Sequence, residues 1–395
     1  MLGETKQFLR VETFSAGLVA TIFGVTGPAL IIISGATAAG LTYEQIISWI
    51  FSVYFFGGLL GLILSVKYRQ PISGAFSIAG AVLVVEALTS YSLNEAIGAY
   101  LIANLIVFLL GVSGLIDRVM KWMPVPIVMG MIVGILIHFA VEMIIALEDA
   151  PILSGSAIFV FLVCMRFVKK VPPVLPALLT VLLLSYIMGS FQFEAAESYF
   201  ILPQLIFPTF SSASIVSLSI PLALIIICTE NAQATGVLRA EGYQPPVRSF
   251  AIYGSIIGFF ASLFGAHAIN VAGPMTAICA AKEAGEKNER YKAAVANGVL
   301  FMLFGLFASL IVPFIIAIPS LAITVIAGLA MIGVLLSSLK NAFSSNQFQM
   351  GAFFAFIIGM SGIQFLGISA PLWAIIGSIT ISLLVEREHF IEMHR

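Results

Sequence analysis

The chain has 395 residues, of which 60% are hydrophobic and 9% charged, and its mean hydropathy is +1.10. Soluble domains carry roughly 25% charged residues, so this composition excludes a water-covered globule, and the longest polar interruptions, 239–248 and 282–292, are too short to fold alone. A net charge of −1 offers no basic face to nucleic acid. Cys164, Cys228 and Cys279 sit in apolar runs without metal-ligand spacing and read as small core residues.

Residues 1–12 are polar, with Lys6 and Arg10 ahead of a full-length apolar run, which reads as a first membrane helix rather than a cleaved leader. Apolar stretches then recur, mostly of the length that crosses a bilayer core as helix. Cut at the polar breaks, they fall at 13–36, 44–66, 77–91, 95–115, 124–146, 151–168 and 173–190. A second set follows at 214–238, 248–264, 273–283, 291–314, 319–339, 349–364 and 369–386. The expected fold class is an all-α polytopic membrane protein of about 14 segments.

With that count, all 18 Lys and Arg fall on one side: Lys6 and Arg10, Lys67 and Arg69, Arg118 and Lys121, Arg166, Lys169 and Lys170, Arg239 and Arg248, Lys282 to Lys292, Lys340, Arg387 and Arg395. The opposite loops hold Glu44, Glu95, Glu148, Asp149, Glu194 and Glu197. Cations stay cytoplasmic, so both termini, 1–12 and 387–395, are expected in the cytoplasm of a cell-membrane protein. A miscounted helix would scatter these charges over both faces.

The third and tenth segments are too short. Each opens on a small-residue, strand-like run, Gln70–Phe76 and Gly265–Asn270, and each then starts a stubby helix at a matching tripeptide, Ile78-Ala79-Gly80 and Val271-Ala272-Gly273, 193 residues apart. The same offset carries the later segments of one half onto the other and Pro126 onto Pro319. Seven crossings per half is odd, so 13–190 and 214–386 are expected to be inverted repeats. Paired, interrupted short segments are the sequence pointer to a transporter site, because non-helical backbone at membrane depth must be buried or line a cavity. Two half-helix starts present unpaired N–H groups and a partial positive charge, which suits an anion such as a carboxylate.

Few ionisable residues interrupt the spans. Glu230, within Cys228–Gln233, lies deep in the eighth; an acid there costs roughly 2.5 to 3.5 kcal/mol on insertion scales and is cheapest neutral, which makes it the candidate proton carrier. His138 and Glu142 share a face of the fifth segment as an interface pair or second relay, and Glu86 reads as an outer-end residue. His267 either lines the second break or holds its backbone. Phe76 is a candidate aromatic wall, and Gly24–Pro28 interrupts the first segment. No phosphate loop, His-Glu-x-x-His or nucleophile elbow is present, so neither an enzyme, a cofactor nor a metal is expected.

The run Gly236–Pro246 (Gly-Val-Leu-Arg-Ala-Glu-Gly-Tyr-Gln-Pro-Pro) resembles the loop after the eighth helix in the BenE family of benzoate–proton symporters. Gly265–Asn270, Pro71–Ser73 and Ser361–Ile368 are similar to that family as well. The resemblance implies the seven-plus-seven fold shared with nucleobase–cation symporters and sulfate permeases. It implies a core (13–115 and 214–314) moving against a gate (124–190 and 319–386), and a homodimer through the gate.

The expected activity is therefore proton-coupled symport of a small aromatic or cyclic carboxylate across the lipid bilayer. The substrate would rest between Ser77–Gly80 and Val271–Pro274, with hydrogen bonds from Asn231 and Asn270, Phe76 against its ring and Glu230 carrying the proton. The candidate site is thus Phe76, Ser77, Ala79, Gly80, Glu230, Asn231, Asn270, Val271, Ala272 and Gly273. An acid at Glu230 is also similar to the nucleobase symporters, so a nucleobase–proton symporter is the second reading, and an anion channel on the same scaffold the third.

Overall fold

The computed structural model describes residues 10–116, 124–168, 171–190, 201–365 and 368–393. Lys6, Arg118, Lys121, Lys169, Lys170, Glu194, Glu197 and Arg395 lie outside the described residues. Helices stand at all 14 expected positions. Helices Val11–Ala38, Tyr43–Tyr68, Leu93–Ser113, Val125–Asp149, Ser212–Ala240 and Ser320–Phe343 are long and apolar enough to cross a bilayer alone. Their starts follow local chemistry. Thr42 with Gln45 and Ser92 with Glu95 close capping boxes at the second and fourth spans, satisfying amides that have no partner within the helix.

The first span is interrupted at Gly27. It ends at Thr26 and resumes at Pro28, because proline lacks the N–H that would continue the ladder and is pre-set for a first helical position. The eleventh bends by 69° between Tyr291–Leu306 and Ala308–Ile316. The eighth carries two wide π-type turns, Ile215–Ser219 and Ile226–Glu230, the second ending on the acid. At the far end, Gln364–Phe365 and Ile368–Ser369 form a two-stranded ladder between helices Gln349–Met360 and Ala370–Val385, where the sequence reading placed helix ends. A last helix, Arg387–Met393, turns off by 96°.

Two bundles result. In one, Tyr43–Tyr68 packs along Tyr291–Leu306, Leu93–Ser113 along Val247–Ser262, and Val11–Thr26 against Tyr291–Leu306 and Gly273–Ala280. In the other, Val125–Asp149 packs on Ser320–Phe343 and Gln349–Met360, and Pro151–Phe167 on Val174–Ile187. Each therefore mixes segments from both halves. Asn104 and Asn297 stand at the 193-residue offset, and both donate through Nδ2 to a hydroxyl on another helix, Ser262 at 3.2 Å and Thr21 at 3.0 Å.

Close packing rests on small residues, as in other membrane bundles. A Cβ at Gly61 would stand 2.5 Å from Gly74 N, and one at Gly130 2.2 Å from Ala352 O. At the end carrying the cations, the loops are knitted together. Arg290 donates to Ala280 O at 2.7 Å and to Glu241 at 3.3 Å, Lys287 to Gly242 O at 2.9 Å, and Arg10 pairs with Glu286 at 3.2 Å. At the other end the segment 201–210 crosses over the helices, its Gln204, Ile206 and Thr209 amides donating to Ser48 Oγ, Leu263 O and Asn94 O.

Candidate functional site

The two breaks meet. Gly74–Ala75 pairs antiparallel with Asn270–Val271, with Ala75 opposite Asn270 and Gly74 opposite Val271, and Ala272 N–H donates to Ser73 O at 2.9 Å. The strand pair reaches this depth because Gly57 and Gly61 present no side chain to it: a Cβ at Gly57 would lie 2.9 Å from Ala75 Cα. From the two strands the helices Ile78–Ala87 and Gly273–Ala280 lead away. Ser77 caps the first, its Oγ accepting Gly80 N–H at 3.0 Å. The second begins at Gly273-Pro274, with no side-chain cap.

A cavity of about 700 Å³ lies between the two bundles, within the range of small-molecule sites. Phe76, Ile78, Ala79, Ala272, Gly273, Pro274, Glu230 and Gln233 wall it on one side, and Met129, Ile132, Phe161, Leu329 to Val334 and Ser337 on the other. Glu230 is the single ionisable side chain among the described residues that line it. Met165, Pro172, Val237 and Ser338 also line it, so it extends toward the end of the bundle where the cations lie. At the opposite end the bundles touch, Pro28–Ala38 against Ser320–Phe343 and Ile78–Ala87 against Val125–Asp149.

The predicted site residues divide into two groups. Phe76, Ala79, Glu230, Ala272 and Gly273 face the cavity. Ser77, Gly80, Asn231, Asn270 and Val271 are buried outside its lining. Ser77 Oγ–H donates to Glu230 Oε1 at 2.9 Å, joining the first half-helix to the eighth span. Asn231 Oδ1 accepts Val271 N–H at 3.2 Å, joining that span to the second break. Asn231 Nδ2 and both polar atoms of Asn270 are buried without a partner among the described residues. Phe76 meets Tyr54 and His267 edge-on at 5.1 and 5.8 Å, so its ring is fixed by packing.

His267 holds backbone. Trp49 Nε1–H, which can only donate, reaches His267 Nδ1 at 3.1 Å, so the imidazole proton sits on Nε2 and is given to Ser77 O at 2.8 Å. His138 Nε2 bonds Met360 O at 3.1 Å, and no bond to Glu142 is formed among the described residues.

Sequence reasoning passed over Gln233. It lies three residues beyond Glu230, hence on the same helix face, and a Cβ at position 273 would stand 2.8 Å from its Oε1. That spacing was the signal available for it. No group of acidic, His or Cys residues among those described could hold a metal ion.

The benzoate membrane transport protein family, BenE, matches residues 7–384. The benzoate membrane transport protein of Acinetobacter baylyi is 30% identical over 98% of this chain and 98% of its own. The inner membrane protein YdcO of Escherichia coli is 31% identical over 96% and 98%. Among solved structures, the transmembrane domain of a cyanobacterial bicarbonate transporter, BicA, superposes with a TM-score of 0.65 at 14% identity, covering 93% of this chain and 97% of that one. Murine Slc26a9, an anion transporter in its inward-facing state, gives 0.63 at 14% identity over 95% and 68%. The fold is the inverted-repeat arrangement of core and gate that these transporters share.

Proposed function

Because the chain belongs to the BenE family of benzoate membrane transport proteins, and is thus a multi-pass membrane transporter and not an enzyme, we propose that it is a secondary active transporter that carries a small aromatic or cyclic carboxylate together with protons. The observation that supports this most is the charge inventory of the cavity: one acid, Glu230, and no Lys, Arg or His among the described lining residues. An organic anion entering such a site has only the starts of Ile78–Ala87 and Gly273–Ala280 to meet its charge, each worth about half a unit of positive charge. A charged Glu230 beside it would cancel that attraction. Binding the anion and a proton on Glu230 together removes the conflict, and two ligands that favour each other are coupled by linkage.

The apolar remainder of the lining, with Phe76 edge-packed and immobile, suits a ring. The core is taken as 13–115 with 214–314 and the gate as 124–190 with 319–386, and both termini are taken as cytoplasmic. The gate is the surface through which a homodimer would form.

The test is ligand-dependent melting of the purified protein at about pH 5.5 and about pH 7.5, with benzoate, substituted benzoates, uracil, xanthine and sulfate, since a ligand that binds only the native state raises Tm by mass action. Stabilisation by aromatic carboxylates, stronger at acid pH, is expected. Stabilisation by a neutral nucleobase alone would overturn the carboxylate reading, and benzoate flux in liposomes without proton movement would make the protein a channel.

A further inference from the structure

Ser77 is fully enclosed, yet it stands where four bonds meet. Its carbonyl accepts His267 Nε2–H at 2.8 Å and Ala81 N–H at 2.9 Å. Its Oγ accepts Gly80 N–H at 3.0 Å and donates to Glu230 Oε1 at 2.9 Å. A hydroxyl has one proton to give, and here it is committed to Glu230. The Trp49–His267 pair locks the backbone of Ser77, so the hydroxyl fixes where Glu230 sits relative to the helix start, not the reverse.

We propose that Ser77 is a positioning residue that seats the Glu230 carboxylate as a resident anion at the start of helix Ile78–Ala87, so that Glu230 and the substrate carboxylate compete for one helix N-terminus. The inference rests on the carboxylate–proton reading above. In the charged state Glu230 draws on the helix start through Ser77, and a hydrogen bond to a charged acceptor is roughly twice as strong as one to a neutral acceptor. On protonation that hold weakens, the resident charge disappears, and the same helix start serves the substrate from the cavity side, where Ile78 and Ala79 face it. Ser77 thereby sets the pH at which the site changes occupant.

Among the described residues, no other ionisable side chain lines the cavity beside Glu230. Cys228 shares the π-type turn with Glu230, Arg239 ends the helix that follows, and Cys279 lies near the end of Gly273–Ala280. Glu86 stands at the far end of Ile78–Ala87, and His138, Glu142, Glu148 and Asp149 occupy the later half of Val125–Asp149. His267 faces Ser77 by its backbone bond, and none of these groups lines the cavity.

The experiment measures benzoate affinity of the full-length protein by calorimetry across about pH 5 to about pH 8.5 for wild type, Ser77→Ala, Ser77→Gly, Ser77→Thr and Glu230→Gln. Glycine is included because it is favoured over alanine at an N-cap, so it keeps the test open if the alanine variant fails to fold. Removing the donor disfavours the charged carboxylate, so the Ala and Gly variants should keep tight binding to higher pH. Their half-maximal pH should move up by about one unit, a tenfold gain in apparent affinity at the alkaline end. Ser77→Thr, which keeps the hydroxyl, should return the wild-type midpoint, and Glu230→Gln should bind without pH dependence. An unmoved midpoint in Ser77→Gly, with affinity lowered equally at every pH, would reduce Ser77 to a helix cap and overturn the proposal. A wild type that binds benzoate without pH dependence would instead overturn the proton-coupled reading itself.

Discussion

Gln233 and Gly273 show how one side chain is placed by the absence of another. The glutamine lies over Gly273, where a Cβ would come within 2.8 Å of both its Cβ and its Oε1, and its amide borders the cavity beside Glu230. Substituting Gln233 with Ala removes a polar group that no hydrogen bond among the described residues ties to the fold. It should therefore weaken benzoate binding about tenfold, the equivalent of one hydrogen bond, with Tm unchanged. Gly273→Ala should reproduce the loss by pushing the glutamine aside. Calorimetry with a melting control checks both, and a drop in Tm equal to the loss in affinity would count against a direct contact. Trp49 offers the contrasting case. Trp49→Phe strips His267 Nδ1 of its donor in a fully buried site and should cost about 1 to 3 kcal/mol of stability, read as a lowered Tm without ligand.

At the scale of elements, the sequence displayed the breaks but not their back sides. Gly, Pro and small residues at 71–80 and 265–274 are legible because each disrupts a helix that the surrounding apolar length demands. Which residues of those runs face the cavity is set by the pairing of Gly74 with Val271 and Ala75 with Asn270, far apart in sequence, and no local period encodes it. So Phe76 and Ala79 line the cavity, whereas Ser77 and Gly80, their immediate neighbours, do not. The π-type turn before Glu230 was equally hidden, since Ile226-Ile227-Cys228-Thr229 reads as ordinary helix. By contrast Gly57 and Gly61 can be tested as the bed of the strand. Gly61→Ala would put a methyl 2.5 Å from Gly74 N, a backbone atom that cannot swing away. Overpacking of this kind costs about 1 to 3 kcal/mol, and here it should also separate the strands, so benzoate binding should fall by more than tenfold while the gate keeps its packing. Retained affinity in Gly61→Ala would mean that the strand pair does not define the site.

For the whole molecule, the positions of charge and cavity combine into one test of orientation and state. The cations that the structure describes gather at one end, tied together through Arg290, Lys287 and Arg10, and the positive-inside tendency assigns that end to the cytoplasm. The cavity runs to the same end, past Met165, Val237 and Ser337, while core and gate close on each other at the other end. On the cavity wall itself, core and gate also touch at Gly27, where a Cβ would lie 2.3 Å from that of Ala330. This conformation should therefore be open to the cytoplasm. With Cys164, Cys228 and Cys279 replaced by Ala or Ser, a single Ser337→Cys should react with a membrane-impermeant thiol reagent in inside-out vesicles and resist it in right-side-out vesicles. Benzoate should slow the reaction if it occupies the cavity. Labelling from the outer face alone would reverse the assigned orientation. Labelling from both faces at comparable rates would mean that core and gate exchange conformations readily without ligand, and that the Gly27–Ala330 contact is no barrier to the outward-open form.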